Sequence, residues 1–152
     1  MNRRISLQDI ATRLREQVSD SLGVAKIGTA LDADYLSSIA ASEFPAVWVG
    51  AQRSTPTTDG RGFTHRVSQD VVVEFVVRLI VSRAIAGEFE EEDKLNRIAD
   101  AAADALMGWT PTDAAVPITW VQSIDGPPEQ SVMTVDLLFR TQVRYQYAAA
   151  GA

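Results

Sequence analysis

The feature that most constrains this chain is the run from Val67 to Ser82, where side chains alternate in strict two-residue period. Val67, Gln69, Val71, Val73, Phe75, Val77, Leu79 and Val81 fall on one side, and Ser68, Asp70, Val72, Glu74, Val76, Arg78, Ile80 and Ser82 on the other. Successive side chains of a β-strand point to opposite faces, so the first set predicts a core face. At about 3.3 Å per residue such a strand reaches roughly 50 Å, against a usual 17–20 Å, and it is expected to bend or to project past the domain body. A second alternating run, Ser131 to Tyr147, sets Met133, Val135, Leu137, Phe139, Val143, Tyr145 and Tyr147 against Thr134, Asp136, Leu138, Arg140, Gln142, Arg144 and Gln146.

Shorter strands are expected near Ala25 to Ile27, over Phe44 to Gln52 and through Val116, Ile118, Trp120, Gln122 and Ile124. Pro45 cannot donate to a ladder and belongs at a strand start or on an edge. Two helices are expected besides. From Ile5 to Leu22, apolar residues at Leu7, Ile10, Ala11, Leu14, Val18 and Leu22 recur every three or four positions, with Ser6 and Asp9 forming a cap and Gly23 a stop. From residue 88 to 107, Leu95, Ile98, Ala99, Ala102 and Leu106 form a stripe that runs on to Trp109, Gly108 ends the helix, and the acidic residues Glu88 to Asp93 meet its positive end. A loop or helical turn is expected around Tyr35 to Ala41. Residues 53 to 65, with Pro56, Gly60, Gly62 and only Phe63 as a large apolar side chain, read as a long mobile hairpin loop; residues 125 to 130 read as a hairpin connection. The fold expected is α+β, a mainly antiparallel sheet with long β-hairpins and two helices packed on it. It forms one domain over residues 1–147, and residues 148–152 are a frayed tail.

Composition removes whole classes of function. The chain has 152 residues and no cysteine, so disulfide frameworks, cysteinyl metal sites and thiol nucleophiles are excluded. The formal charge of −6 has the wrong sign for binding nucleic acid by counterion release. No apolar stretch approaches a membrane span and the amino terminus lacks a signal-peptide core, so a cytoplasmic protein with no membrane partner is expected. Basic charge rests on twelve Arg and two Lys. Arg suits paired and interfacial contacts, although a GC-rich genome produces the same bias.

The chain offers little to catalysis. His65, the sole histidine, sits in the Gly/Thr-rich stretch without a nucleophile motif nearby, and a solvated loop residue describes it better than a base. TTDGRGF lacks the spacing of a phosphate loop, and the acidic run at 88–93 reads as a solvated helix start rather than a metal site. The alternation allows Glu74 and Asp136 to face one another as an acid–base pair, but Arg78, Arg140 and Arg144 share that face and favour ion pairing. Core packing is the preferred role for the aromatic residues, with Tyr145 and Tyr147 the expected exposed exceptions. No cofactor and no metal are expected.

One feature is unusual for a solvated sheet. The second faces of the two long strands mix charge with large aliphatics: Asp70, Val72, Glu74, Val76, Arg78 and Ile80 on one, Asp136, Leu138, Arg140 and Arg144 on the other. A face that meets another subunit needs both apolar area and paired charge. The competing account has the second helix covering that face.

In order and spacing, the amino-terminal helix LQDIATRLREQV, the strand PAVWVG (45–50), the long loop, the strand VVVEFVVRLIV, the turn LMGWTP (106–111) and the closing strand VDLLFRTQVRY (135–145) resemble the tail terminator, or tail completion, proteins of tailed bacteriophages, lambda-type and Mu-type terminators included. The resemblance implies a non-enzymatic virion protein, assembled in the host cytoplasm, that forms a hexameric ring on the head-proximal end of the tail tube. There it ends tube polymerisation and presents a head-joining surface. Its implied partners are copies of itself, the tail tube protein and a neck or head-completion protein; DNA passes through the lumen without specific binding, which an acidic lining favours. On that reading the subunit or tube interface includes Arg53, Arg61, Phe63, His65, Asp70, Glu74, Arg78, Asp136, Arg140 and Arg144. Other head–tail connector, neck or baseplate proteins share these traits. A small hydrolase or ligand-binding domain would need convergent polar groups that the sequence does not supply.

Overall fold

Among the described residues, two helices and six strands follow in the order α1 (Leu7–Gln17), β1 (Lys26–Thr29), β2 (Ala46–Pro56), β3 (Arg61–Phe63), β4 (Arg66–Ser82), α2 (Glu88–Leu106), β5 (Thr119–Asp125) and β6 (Val132–Ala148). They come from a computed structural model that describes residues 4–18, 22–29, 45–57, 61–63, 66–82, 88–126 and 132–148. The turn expected around Tyr35 to Ala41, His65, and residues 127–131 and 149–152 lie outside the described residues. The class is α+β: one sheet in the order β1-β2-β4-β6-β5, with β3 pairing β4 off that path. Of the strand pairs among the described residues, only β1–β2 is parallel.

The two long runs pair with each other along their whole length, Arg66 opposite Ala148 through to Ser82 opposite Val132. The odd-numbered face predicted from alternation is the core. Phe75 and Phe139 sit directly opposite and stack with centroids 5.6 Å apart. Around them Val73, Val77, Leu79, Leu137 and Val143 meet Ile10, Leu14, Ile98 and Leu106 from the two helices. Both helices therefore lie on one side of the sheet, and the account in which α2 covers the second face is overturned.

Ser6 caps α1, accepting from the Asp9 amide at 3.3 Å. The helix stops at Gln17, well before the expected Gly23, because Val18 leaves it in an extended conformation and is buried by tertiary packing; Leu22 also reaches the core from outside the helix. At the end of α2, Gly108 takes a left-handed φ of 80° and donates to the Ile118 carbonyl, while Ile118 donates back to Trp109. Arg13 of α1 reaches this same terminus, donating from Nε to the Ala105 carbonyl at 3.0 Å with its guanidinium over the Trp109 ring. A cation here meets the negative end of α2.

The expected loop at 53–65 is largely strand. β2 runs on to Pro56, Thr57 donates to the Asp70 carbonyl, and Arg61 to Phe63 pair with Ser68 to Arg66. Ser54, Thr55 and Pro56 lie on a stretch of strand beyond the part of β2 that β1 pairs, where polar residues and a proline are tolerated. Its continuation is made possible by a β-bulge: the register shifts between Gly50 and Arg53, and Ala51 takes φ 51°. The extra residue turns Gln52 toward the helix side, where its amide donates to the Ile5 carbonyl and accepts from the Ile5 N–H. A second bulge lies between Trp120 and Gln122 in β5, which starts at Thr119; Val116 and Ile118 precede it, and the buried Thr141 hydroxyl donates to the Val116 carbonyl.

A left-handed residue with a β-carbon is strained, and a branched one more so. Ala51→Gly is expected to leave stability unchanged or to raise it by less than about 1 kcal/mol, and Ala51→Val to lower it by about 1–3 kcal/mol. Thermal melting of the two variants checks this.

Candidate assembly surface

The register of β4 against β6 decides what the second face can do. Asp70 stands opposite Arg144, Glu74 opposite Arg140 and Arg78 opposite Asp136, with Val72–Gln142 and Val76–Leu138 between them. Glu74 and Asp136 therefore do not face each other, and the acid–base pairing is ruled out by register. Charged rungs alternate with uncharged rungs that carry an aliphatic side chain, each charged rung four residues from the next.

The charges are joined. Arg78 holds Asp136 through two hydrogen bonds, Nε to Oδ1 at 2.7 Å and Nη2 to Oδ2 at 2.9 Å. This fork-on-carboxylate geometry is available to Arg and not to Lys. Arg144 Nε donates to Asp70 Oδ1 at 3.0 Å. Glu74 lies between Arg53 at 3.0 Å and Arg140 at 3.8 Å, and its side chain is only 12% exposed. Arg53 reaches this rung because the bulge at Ala51 moves it to the second face; unbroken alternation from Val49 would have placed it under the helices.

These pairs have a direction. Arg53, Arg140 and Arg144 are 73%, 47% and 59% exposed, whereas their partners Glu74 and Asp70 are 12% and 39% exposed. The guanidinium groups form the outer layer, and this part of an acidic chain presents positive charge to solvent. Val72, Val76 and Leu138 are half-buried between the rungs, and Trp48 lies under the Arg78 guanidinium at 5.9 Å. Toward the Ala46 end of the sheet the same face becomes buried at Ala46 and Ile80.

Of the residues expected at an interface, Arg53, Asp70, Glu74, Arg78, Asp136, Arg140 and Arg144 are thus brought together on one face. Arg61 and Phe63 are placed by backbone pairing in β3, at the far end of β4. Sequence reading missed Trp48 and Ile124. Ile124 is carried onto this face by the bulge in β5, opposite Asp136, and is 53% exposed. The aromatic assignment is also corrected: Trp120 is 49% exposed, while Tyr145 packs against the core. Among the described residues no three His, Cys, Asp or Glu side chains gather as a metal site.

A sheet with one face under helices and the other carrying neutralised charge and half-buried aliphatics defines a structural α+β domain with a surface to spare. A solved chain from the "Virion of native gene transfer agent (GTA) particle" shares this fold, with TM-score 0.65 and 19% identity, the match covering 93% of this chain and 96% of that one. No curated protein matches the chain. The family described as "Phage tail terminator protein" matches residues 1–149, and the chain belongs to that family. It is a structural protein of the phage tail and a component of the virion.

Partly exposed ion pairs contribute modestly. A double-mutant cycle of Arg78→Ala and Asp136→Ala, read by denaturant unfolding, is expected to give a coupling of about 1 kcal/mol that shrinks as salt is raised.

Proposed function

We propose that the protein forms a ring of six copies on the head-proximal end of the tail tube, where it stops the addition of tube subunits and presents a surface to the neck or head-completion protein. Beyond family membership, one observation carries this reading: the second face of the sheet. A face left to water needs neither Val76 and Leu138 at its centre nor a bulge that delivers Arg53 beside Glu74. A contact with a neighbouring copy or with the tube uses both, apolar area for affinity and fixed guanidinium groups for choice of partner. The long hairpin of β2, β3 and β4 extends this face toward Arg61 and Phe63, which on this reading belong to the same contact. The net charge of −6 fits a lumen that DNA traverses without binding.

The reading is tested by adding the purified protein to polymerising tail tube subunits and imaging the products by electron microscopy. Tubes are expected to stop growing and to carry one additional ring at a single end. Leu138→Lys, placed at a half-buried position of the second face, is expected to retain the wild-type melting profile and to lose capping by tenfold or more, on the order of one buried side chain. Tubes that grow unchecked past the wild-type protein would contradict the ring reading, and undiminished capping by Leu138→Lys would remove the second face from it.

A further inference from the structure

The last strand of the sheet has an open edge. β5 pairs with β6 on one side, and among the described residues no strand pairs with its other side. All of its residues except Val121 are exposed. Trp120 and Ile124 are two of the three large hydrophobics found exposed among the described residues, and they flank the strand on opposite faces, one opposite Phe139 and the other opposite Asp136. Exposed edges are ordinarily guarded by lysine, proline or an inward charge. The strand TWVQSID has no lysine or proline, its only charge stands at its final residue, Asp125, and its one guard is the bulge. The amide of Gly126 donates to the Thr134 carbonyl at 2.8 Å, continuing the ladder. Antiparallel bonding alternates, so Gln122 and Ile124 bond to β6 while the N–H and C=O groups of Ser123 and Asp125 point away from the sheet.

We propose that β5 is a docking strand and that a second copy of this chain pairs with it through the opposite edge of its own sheet, formed by β1 and β2. The inference rests on the ring reading and gives the contact that closes the ring. Two observations select this occupant. β5 runs antiparallel to β6, β6 to β4 and β4 to β2, while β1 is parallel to β2. Copies standing side by side in one orientation therefore bring β5 of one against strands of opposite direction in the next, the pairing that forms the stronger ladder. The charges are complementary: β5 carries Asp125 alone, whereas β1 and β2 carry Lys26 and Arg53 and no carboxylate. Such a contact joins two different edges, so each copy uses one of each kind and the chain of contacts closes only as a ring.

The natural absence of cysteine allows a direct test in the full chain. Gln122→Cys on β5 and Thr55→Cys on β2 both replace exposed residues of the second face, and a long flexible bis-maleimide then links any edges that lie together. The double variant is expected to give a ladder of linked species up to the full ring, and each single variant alone no linked species. Linked dimers from Gln122→Cys alone would show β5 pairing with itself about a two-fold axis and would overturn the proposal. A sample that is ring-shaped by electron microscopy, free or on tail tubes, but does not link would overturn the edge contact while leaving the ring reading intact. Absence of both rings and links, on tubes as well, would overturn both. As an independent measurement, Ile124→Lys is expected to keep the wild-type melting curve and to raise the concentration for half-assembly about tenfold or more; unchanged assembly would count against β5.

Discussion

The ladder between β4 and β6 holds every other part of the molecule in place, and its register is specified twice over. A slip of one residue would carry Glu74 and Arg78 under the helices and expel Phe75 and Val77 from the core, which the buried face forbids. Slips by an even number keep the faces and are excluded by charge instead. Moving β6 by two residues leaves Glu74 opposite Leu138 or Gln142 and breaks all three ion pairs. Moving it by four sets Glu74 against Asp136 in one direction and Arg78 against Arg140 in the other. The acid lies on β4 in the first two charged rungs and on β6 in the third, and because of this reversal of sign a four-residue slip exchanges three ion pairs for one attractive rung (Asp70–Arg140 or Glu74–Arg144) offset by one repulsive rung. Individually the pairs are weak contributors to stability, yet together they select one alignment from several that the hydrophobic pattern would accept.

The helices are fitted to that ladder at its core-facing side, and two bulges adjust what its neighbours present. At Ala51 the extra residue sends Gln52 to hold the segment before α1 and frees Arg53 for the second face. In β5 the extra residue sends Gln122 and Ile124 to the second face after Trp120 has pointed to the helix side. In both strands a single inserted residue lets one element serve the core with its first half and an outer surface with its second.

These insertions also mark where the sequence could not be read. The two long strands, α2 with its Gly108 stop and the Ser6 cap of α1 were legible because each rests on local periodicity or local hydrogen bonding. The bulges are not local: Gln122 and Ile124 continue the even alternation of Ile118 and Trp120 on paper, and only the pairing with β6 shows that the count has changed. The strand character of residues 53–57 and 61–63 was hidden because Ser, Thr, Pro and Gly are turn formers until a neighbouring strand supplies a ladder. The end of α1 falls earlier than periodicity predicts because Val18 and Leu22 keep helical spacing while tertiary contacts draw them to the core by another route. Of the surface itself, the residue types and the face were legible from alternation. The rung-by-rung partners were not, since alternation alone is silent about register and equally allowed the carboxylates to meet.

The internal neutralisation of the second face bears on how it could serve an assembly. A lone buried charge costs several kcal/mol to dehydrate, and a contact built on such charges forms only when a partner supplies every counter-charge in the correct place. Here Glu74 and Asp136 already have their counter-charges within the same chain, so covering them removes water from pairs rather than from isolated ions. The remaining exposed guanidinium surface of Arg53, Arg140 and Arg144 still distinguishes an acidic partner from a basic one. A surface of this kind can be exposed before assembly without demanding a partner and can be buried afterwards without a large dehydration cost. An open strand edge differs in both respects, because its unpaired N–H and C=O groups recognise any strand of suitable direction. On a molecule bearing both, the edge would supply strength between identical neighbours and the ion-paired face would supply discrimination between unlike ones, the division of labour that the proposed ring between a tube and a neck calls for.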